Sequence, residues 1–213
     1  MRVALPLSGG IDSTAALFYL VENGHQVFPI SLDYGQKSST EIEHAAILAR
    51  FVGSQLFVET LLGKFPKCSR INSEIPIPEQ VSIDSPTVEC EVPGLYVTIL
   101  SSSIRHGILN SCDYVCLPFT VASLQFYPEA SKVGIAAASA LVHNCSSRAM
   151  KALVPFPDAS KLTLLKMLAA SGAPYWLTYS CLEGGNHCGL CPKCVIRDSV
   201  FEAARSMGRG HFG

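Results

Sequence analysis

Val3-Ala4-Leu5-Pro6-Leu7-Ser8-Gly9-Gly10-Ile11-Asp12-Ser13-Thr14 runs from a short apolar strand through a glycine turn into a helix. Asp12 or Ser13 is placed to cap that helix, which continues to about Asn23 and is stopped by Gly24. The turn has the makings of a phosphate site. Two glycines allow dihedrals closed to other residues and let backbone N–H groups approach an anion, Ser8, Ser13 and Thr14 add hydroxyl donors, and the helix start adds its positive dipole end. Asp12 would repel bare phosphate, so it points to a magnesium ion bridging to a pyrophosphate, or to a hydrogen bond that shapes the loop. The competing reading, a plain turn between a strand and a capped helix, is weakened by the position directly after the first strand and by the dense hydroxyls.

Outward from this segment the chain alternates strand and helix. Gln26 to Leu32 reads as a second strand, Asp33 to Ser39 as a polar loop, and Thr40-x-x-Glu43 as a capping box opening a helix to about Val52. A third strand follows at Gln55 to Thr60. Leu61 to Gly94, with Pro66, Pro76, Pro78, Pro86 and Pro93, is irregular and reads as a lid or mobile loop. Alternation resumes with a helix from Tyr96 to Asn110, a strand at Tyr114 to Leu117, a helix around Glu129 to Asn144, a strand at Ala152 to Val154 and a helix from Ser160 to Ala170. The expected fold is α/β, Rossmann-like: five mainly parallel strands with helices on both faces, and ligands at the carboxyl ends of the strands. Residues 1–175 would form this domain and 176–213 a metal-binding segment ending in a helix from about Cys194 to Ser206.

With 213 residues, of which 48% are hydrophobic and 15% charged, the chain can bury one full core. Mean hydropathy is high at +0.30, yet the unbroken apolar runs, such as Ala15 to Val21, fall far short of the ~18 residues of a membrane span. A net charge of −1 removes any strong electrostatic case for nucleic acid or an anionic membrane as partner. Nine cysteines stand out, and their odd number, together with an N-terminus unlike a signal peptide, favours metal binding in a reducing cytosol over disulfides. Cys181, Cys188, Cys191 and Cys194 have the spacing to wrap one tetrahedral Zn2+, with Gly189 and Pro192 making the tight turn. An iron–sulfur cluster and a redox-active C-x-x-C compete with zinc. His187 reads as an exposed loop histidine, Cys112, Cys116 and Cys145 as small buried hydrophobes, and Cys68 and Cys90 as loop thiols.

Leu7-Ser8-Gly9-Gly10-Ile11-Asp12-Ser13 resembles the loop signature of the N-type ATP pyrophosphatases, the PP-loop superfamily. With Asp33-Tyr34-Gly35-Gln36-Lys37 and with Leu177-Thr178-Tyr179-Ser180-Cys181-x-Glu183-Gly184-Gly185, the chain is similar to the 7-cyano-7-deazaguanine synthase family of queuosine biosynthesis. The resemblance implies an ATP-dependent, cytoplasmic, homodimeric ligase that forms carbon–nitrogen bonds. It adenylates the carboxylate of 7-carboxy-7-deazaguanine and, with ammonia, converts it through an amide to the nitrile. ATP and Mg2+ would lie over Leu7 to Thr14, with the adenosine end near Ser31, Leu32 and Asp33, and Gln36 among the binding residues. Asp12, Ser13, Lys37 and Lys161 would be catalytic, the two lysines neutralising phosphate charge, although either could instead be a solvated helix-end lysine.

Departures from the family pattern fall in the acceptor half. Where the family reads Val-Pro-x-Arg-Asn, this chain has Val92-Pro93-Gly94-Leu95-Tyr96; after the fourth strand only Tyr127-Pro128 of the family run survives, with Glu129 as the acid. The sequence thus leaves open a paralogue, of the kind associated with antiviral operons, that passes the adenylated acid to an amine on a partner protein or nucleic acid. A zinc-stabilised nucleotide-binding module without catalysis is a third reading, opposed by the intact Ser8, Asp12 and Ser13.

Overall fold

A computed structural model describes residues 1–61, 68–79, 92–120, 130–145 and 149–207. Cys90 and the Tyr127-Pro128-Glu129 segment lie outside the described residues, as does most of the expected lid. Five strands form one sheet in the order β3-β2-β1-β4-β5: β1 (Arg2–Pro6), β2 (Gln26–Asp33), β3 (Phe57–Thr60), β4 (Tyr114–Cys116) and β5 (Lys151–Leu153). Every pairing is parallel, with Ala4 opposite Phe28 on one side and Val115 on the other. The connecting helices are α1 (Ile11–Glu22), α2 (Thr40–Phe51), α3 (Leu95–Leu109), α4 (Lys132–Asn144), α5 (Lys161–Ala170) and α6 (Pro192–Met207). None is long and apolar enough to cross a membrane among the described residues.

Two-residue alternation along β1 and β4 divides the core into two layers. Val3, Leu5, Leu7 and Cys116 pack with Ala15, Leu17, Leu48, Leu164 and Leu165 from α1, α2 and α5. Ala4, Val115 and Leu117 face the other way, onto Leu100 and Ile104 of α3 and Val142 of α4. Helices therefore cover both faces. Because β1 is flanked by β2 and β4, the chain leaves its carboxyl end in one direction and returns in the other, the crevice in which open α/β sheets hold ligands.

Two expected helix caps are replaced. Gly10 caps α1 through its backbone alone, and Asp12 and Ser13 lie inside the helix. At α2 the cap is Ser39 with no side-chain bond. The Thr40 hydroxyl that a capping box would use accepts instead from Gly185 N–H at 3.0 Å, a contact between distant segments that local sequence does not encode. Cys112 and Cys116 are buried as expected and Cys68 is buried too, but Cys145 is exposed at the end of α4.

Candidate active site

A cavity of about 440 Å3 opens at the carboxyl ends of β1, β2 and β4, within the ~300–1,000 Å3 typical of small-molecule sites. Leu7, Ser8, Gly10, Ile11, Asp12 and Ser13 form one wall, and Ser31 and Leu32 contribute from β2. The loop is braced from inside. Ser13 Oγ accepts from Ser8 N–H at 3.2 Å, and the two hydroxyls lie 3.2 Å apart. Ser31 Oγ donates to the Leu7 carbonyl.

The two glycines are not equivalent. Gly9 has φ +76°, and a Cβ there would meet the Glu41 carbonyl at 3.0 Å and the Ala45 nitrogen at 3.2 Å, so the turn is seated against the first turns of α2. Gly10 has φ −74°. Its absent side chain would meet nothing nearer than Ser8 Oγ at 3.5 Å and would project where the cavity is lined. Gly9 is required by the packing of the turn on α2, whereas Gly10 lines the cavity without a close contact.

Of the residues expected to act, Asp12 and Lys161 are brought together: Lys161 Nζ lies 2.5 Å from Asp12 Oδ2, and both side chains line the cavity. Asp12 Oδ1 is buried with no hydrogen-bond partner among the described residues. Thr14 is fully buried and outside the cavity lining. Lys37 and Gln36 also stand away from the lining. Lys37 Nζ donates to Ile75 O at 2.7 Å and lies 3.8 Å from Glu183. Gln36 bonds Tyr34 N–H, Leu32 O and Glu41, and Asp33 accepts from Gly35 N–H at 3.1 Å. These three side chains shape the loop after β2.

That loop in turn carries the C-terminal segment. Ser38 Oγ donates to Cys181 O at 2.6 Å. Gly184, at φ +87°, sits so close to Lys37 that a Cβ would lie 2.7 Å from its carbonyl oxygen. Tyr179 N–H donates to Gly9 O at 2.9 Å, which fixes the segment directly on the glycine turn. The Tyr179 ring stacks on His44 at 4.9 Å and meets His187 at 4.9 Å, the latter exposed as expected.

The four cysteines converge: their sulfurs all lie within 4.8 Å of one another, close enough to share a single metal ion. Cys188 Sγ and Cys194 Sγ are 3.9 Å apart, and Cys191 N–H donates to Cys188 Sγ at 3.3 Å. Cys181, Cys191 and Cys194 are buried, together with Ile77, Tyr179 and Leu182.

Among the described residues four cations line the cavity: Lys161, which the sequence singled out, and Arg70, Lys193 and Arg197, which it did not. Arg70 donates to Tyr34 O–H at 2.6 Å. Burial pushes the Glu41 carboxyl above its ordinary range, with Arg70, the Gln36 amide and Lys193 pulling the other way. The sequence offered one usable signal: Lys193 and Arg197, four apart after the cysteines, share a helix face. On the remaining wall Tyr96 and Phe119, with ring centroids 4.9 Å apart, stand beside Leu95 and Pro118, where the family pattern is broken.

A parallel sheet of this order, with a serine–glycine turn after its first strand and a hydroxyl-rich, cationic cavity above it, defines an α/β nucleotide-binding fold of the PP-loop kind. The sequence model of the family described as "Queuosine biosynthesis protein QueC" matches residues 2–205. The chain belongs to that family, and with it to the ATP-dependent ligases forming carbon–nitrogen bonds that the resemblance pointed to. A relative from Acetivibrio thermocellus named 7-cyano-7-deazaguanine synthase is 25% identical, over 95% of this chain and 94% of its own length. One of the same name from Archaeoglobus fulgidus is 28% identical over 95% and 87%. Among solved structures, the U34-tRNA thiolase NcsA of Methanococcus maripaludis, determined with its [4Fe-4S] cluster, matches with a TM-score of 0.52 at 16% identity, covering 96% of this chain and 67% of that one. At that identity the likeness is one of fold.

Proposed function

We propose that the chain is a 7-cyano-7-deazaguanine synthase, converting 7-carboxy-7-deazaguanine, ATP and ammonia to the nitrile. The observation that carries this reading is the cavity in which the Ser8–Ser13 turn, Asp12 and Lys161 meet, in a chain matched by the family over nearly its whole length. Backbone N–H groups of the turn and the α1 terminus receive the phosphates. The acid's carboxylate attacks the α-phosphorus and pyrophosphate leaves; ammonia then displaces AMP to give the amide. A second adenylation, on the amide oxygen, ends with loss of AMP and the nitrile.

Asp12 is the residue that would hold magnesium, since its buried Oδ1 has no protein partner among those described; the cation would supply charge neutralisation at the phosphates. With nucleotide present, Lys161 has an anion to turn to other than Asp12, and removing such a charge-stabilising group typically lowers turnover by about 10²–10³-fold. Tyr96 and Phe119 offer ring faces to a planar base.

For the cysteines we propose zinc. Four thiolates at about 2.3 Å from one ion in a tetrahedron stand about 3.8 Å apart, close to the 3.9 Å between Cys188 and Cys194. A four-iron cluster holds each thiolate on a separate iron and spreads them wider. The ion closes a structural site.

The test is pyrophosphate release dependent on the acid. Release with ammonia-dependent nitrile supports the proposal. Release without nitrile supports transfer to another amine, the reading favoured by the altered wall at Tyr96 and Phe119.

A further inference from the structure

We infer that Lys193 and Arg197 hold the phosphate chain of the nucleotide, and that the four-cysteine knuckle sets where they stand. The inference deepens the ATP reading above and rests on it. Both residues line the cavity, and a spacing of four on α6 puts them on one face.

Their place is beside the glycine turn. Arg197 Nη1 donates to Thr178 Oγ1 at 2.6 Å, and the next residue, Tyr179, donates from its backbone to Gly9 O at 2.9 Å. Lys193 lies near enough to Glu41 to act on its carboxyl charge, and it is the Glu41 carbonyl against which Gly9 is seated.

Arg197 gives the arrangement its direction. The side chain is only 8% exposed and packs over the Phe201 ring at 4.2 Å. Among the described residues no carboxylate stands within ion-pair distance of its guanidinium. A charge taken so far out of water calls for a counter-ion; Asp198 and Cys194 favour the charge from beyond ion-pair distance, and the direct side-chain hydrogen bond it makes among the described residues is to a hydroxyl. A phosphate on the Gly9–Gly10 turn would complete it, in the planar geometry that suits a guanidinium.

The knuckle enters because it fixes the start of α6. Cys191 immediately precedes the helix and Cys194 lies in its first turn, with Lys193 between them. Four thiolates on one ion hold that turn, and with it the direction of both cations, against the cavity.

The measurement is equilibrium binding of ATP with magnesium, and separately of adenosine, to the metal-loaded protein and to Lys193→Gln and Arg197→Lys. Each substitution should raise the ATP Kd by about tenfold or more. Adenosine affinity and metal content should stay at the parent level. A merely structural role predicts instead that ATP and adenosine weaken together; that result, or an ATP Kd unchanged in both variants, overturns the inference. Lys193→Gln keeps the test decisive if the buried Arg197 position proves intolerant. Chelation of the parent protein, with helix content followed by circular dichroism, should reproduce the selective loss of ATP. A chelated, fully helical protein that binds ATP as tightly as the loaded one would refute the part assigned to the knuckle. Failure of the synthase reading has a different signature: normal ATP binding by the parent without acid-dependent pyrophosphate release.

Discussion

Alanine placed at Gly9 and at Gly10 should separate folding from nucleotide binding within two adjacent residues. At Gly9 the left-handed backbone (φ +76°) would strain any L-residue by about 1–2 kcal/mol. The new Cβ would also press on two backbone atoms of α2, at 3.0 and 3.2 Å. Neither atom can rotate away, so the helix or the turn must shift, and the total should reach roughly 2–4 kcal/mol. At about 2–4 °C per kcal/mol for a chain of this size, Tm should fall by roughly 4–16 °C. At Gly10 the backbone is ordinary and the nearest contacts, 3.5 and 3.8 Å, are van der Waals ones. Alanine there should leave Tm unchanged or raise it slightly, by the ~0.4–1 kcal/mol that a compatible Gly→Ala exchange gives through the unfolded chain. Its methyl group, however, is added at a residue that lines the cavity proposed to receive phosphate, so ATP affinity should fall by about tenfold or more. Calorimetry and ATP titration on both variants make the comparison. A stable Gly9→Ala protein, or a Gly10→Ala protein that binds ATP as the parent does, would refute the division of labour.

Replacing Asp12 by Ala should abolish acid-dependent pyrophosphate release while moving stability by no more than about 1 kcal/mol, since the Lys161 pair is partly exposed; retained turnover would show that the loop has another role. Cys191→Ser should lose the bound metal and melt at lower temperature, checked by elemental analysis and calorimetry, because a structural ion contributes directly to folding. Burial first, then the Arg105 charge, holds the His106 imidazole below its ordinary value of 6.5, against the pull of Glu59. Its neutral form therefore contributes stability that is intact above pH 6.5 and is lost as pH falls from there through the lowered folded value. His106→Phe, which keeps a ring on Phe57, should flatten that part of the stability profile measured by urea denaturation, and an unchanged slope would contradict the assignment.

The parallel sheet and its five strands were legible because apolar runs and glycine stops mark them locally, and the four cysteines because a metal knuckle is a matter of short spacing. Choosing among lysines was harder. Lys37 and Lys161 look alike in sequence, yet only the docking of α5 beside α1 brings one of them to Asp12, while Glu183 and Ile75 draw the other away. The Thr40 cap failed for the same reason, its hydroxyl being taken by Gly185 from the far end of the chain. Arg197 was not legible as a cavity-lining residue because an arginine in a terminal helix reads as solvated until the helix is seen to be packed against the cavity.

The central claim is that this cavity adenylates a deazaguanine carboxylate. Its most direct test is mass spectrometry of a reaction containing 7-carboxy-7-deazaguanine, ATP, magnesium and ammonium. The account predicts 7-cyano-7-deazaguanine together with AMP and pyrophosphate, all dependent on the protein. Neither pyrophosphate nor any product derived from the acid, from metal-loaded protein that binds ATP, would contradict it.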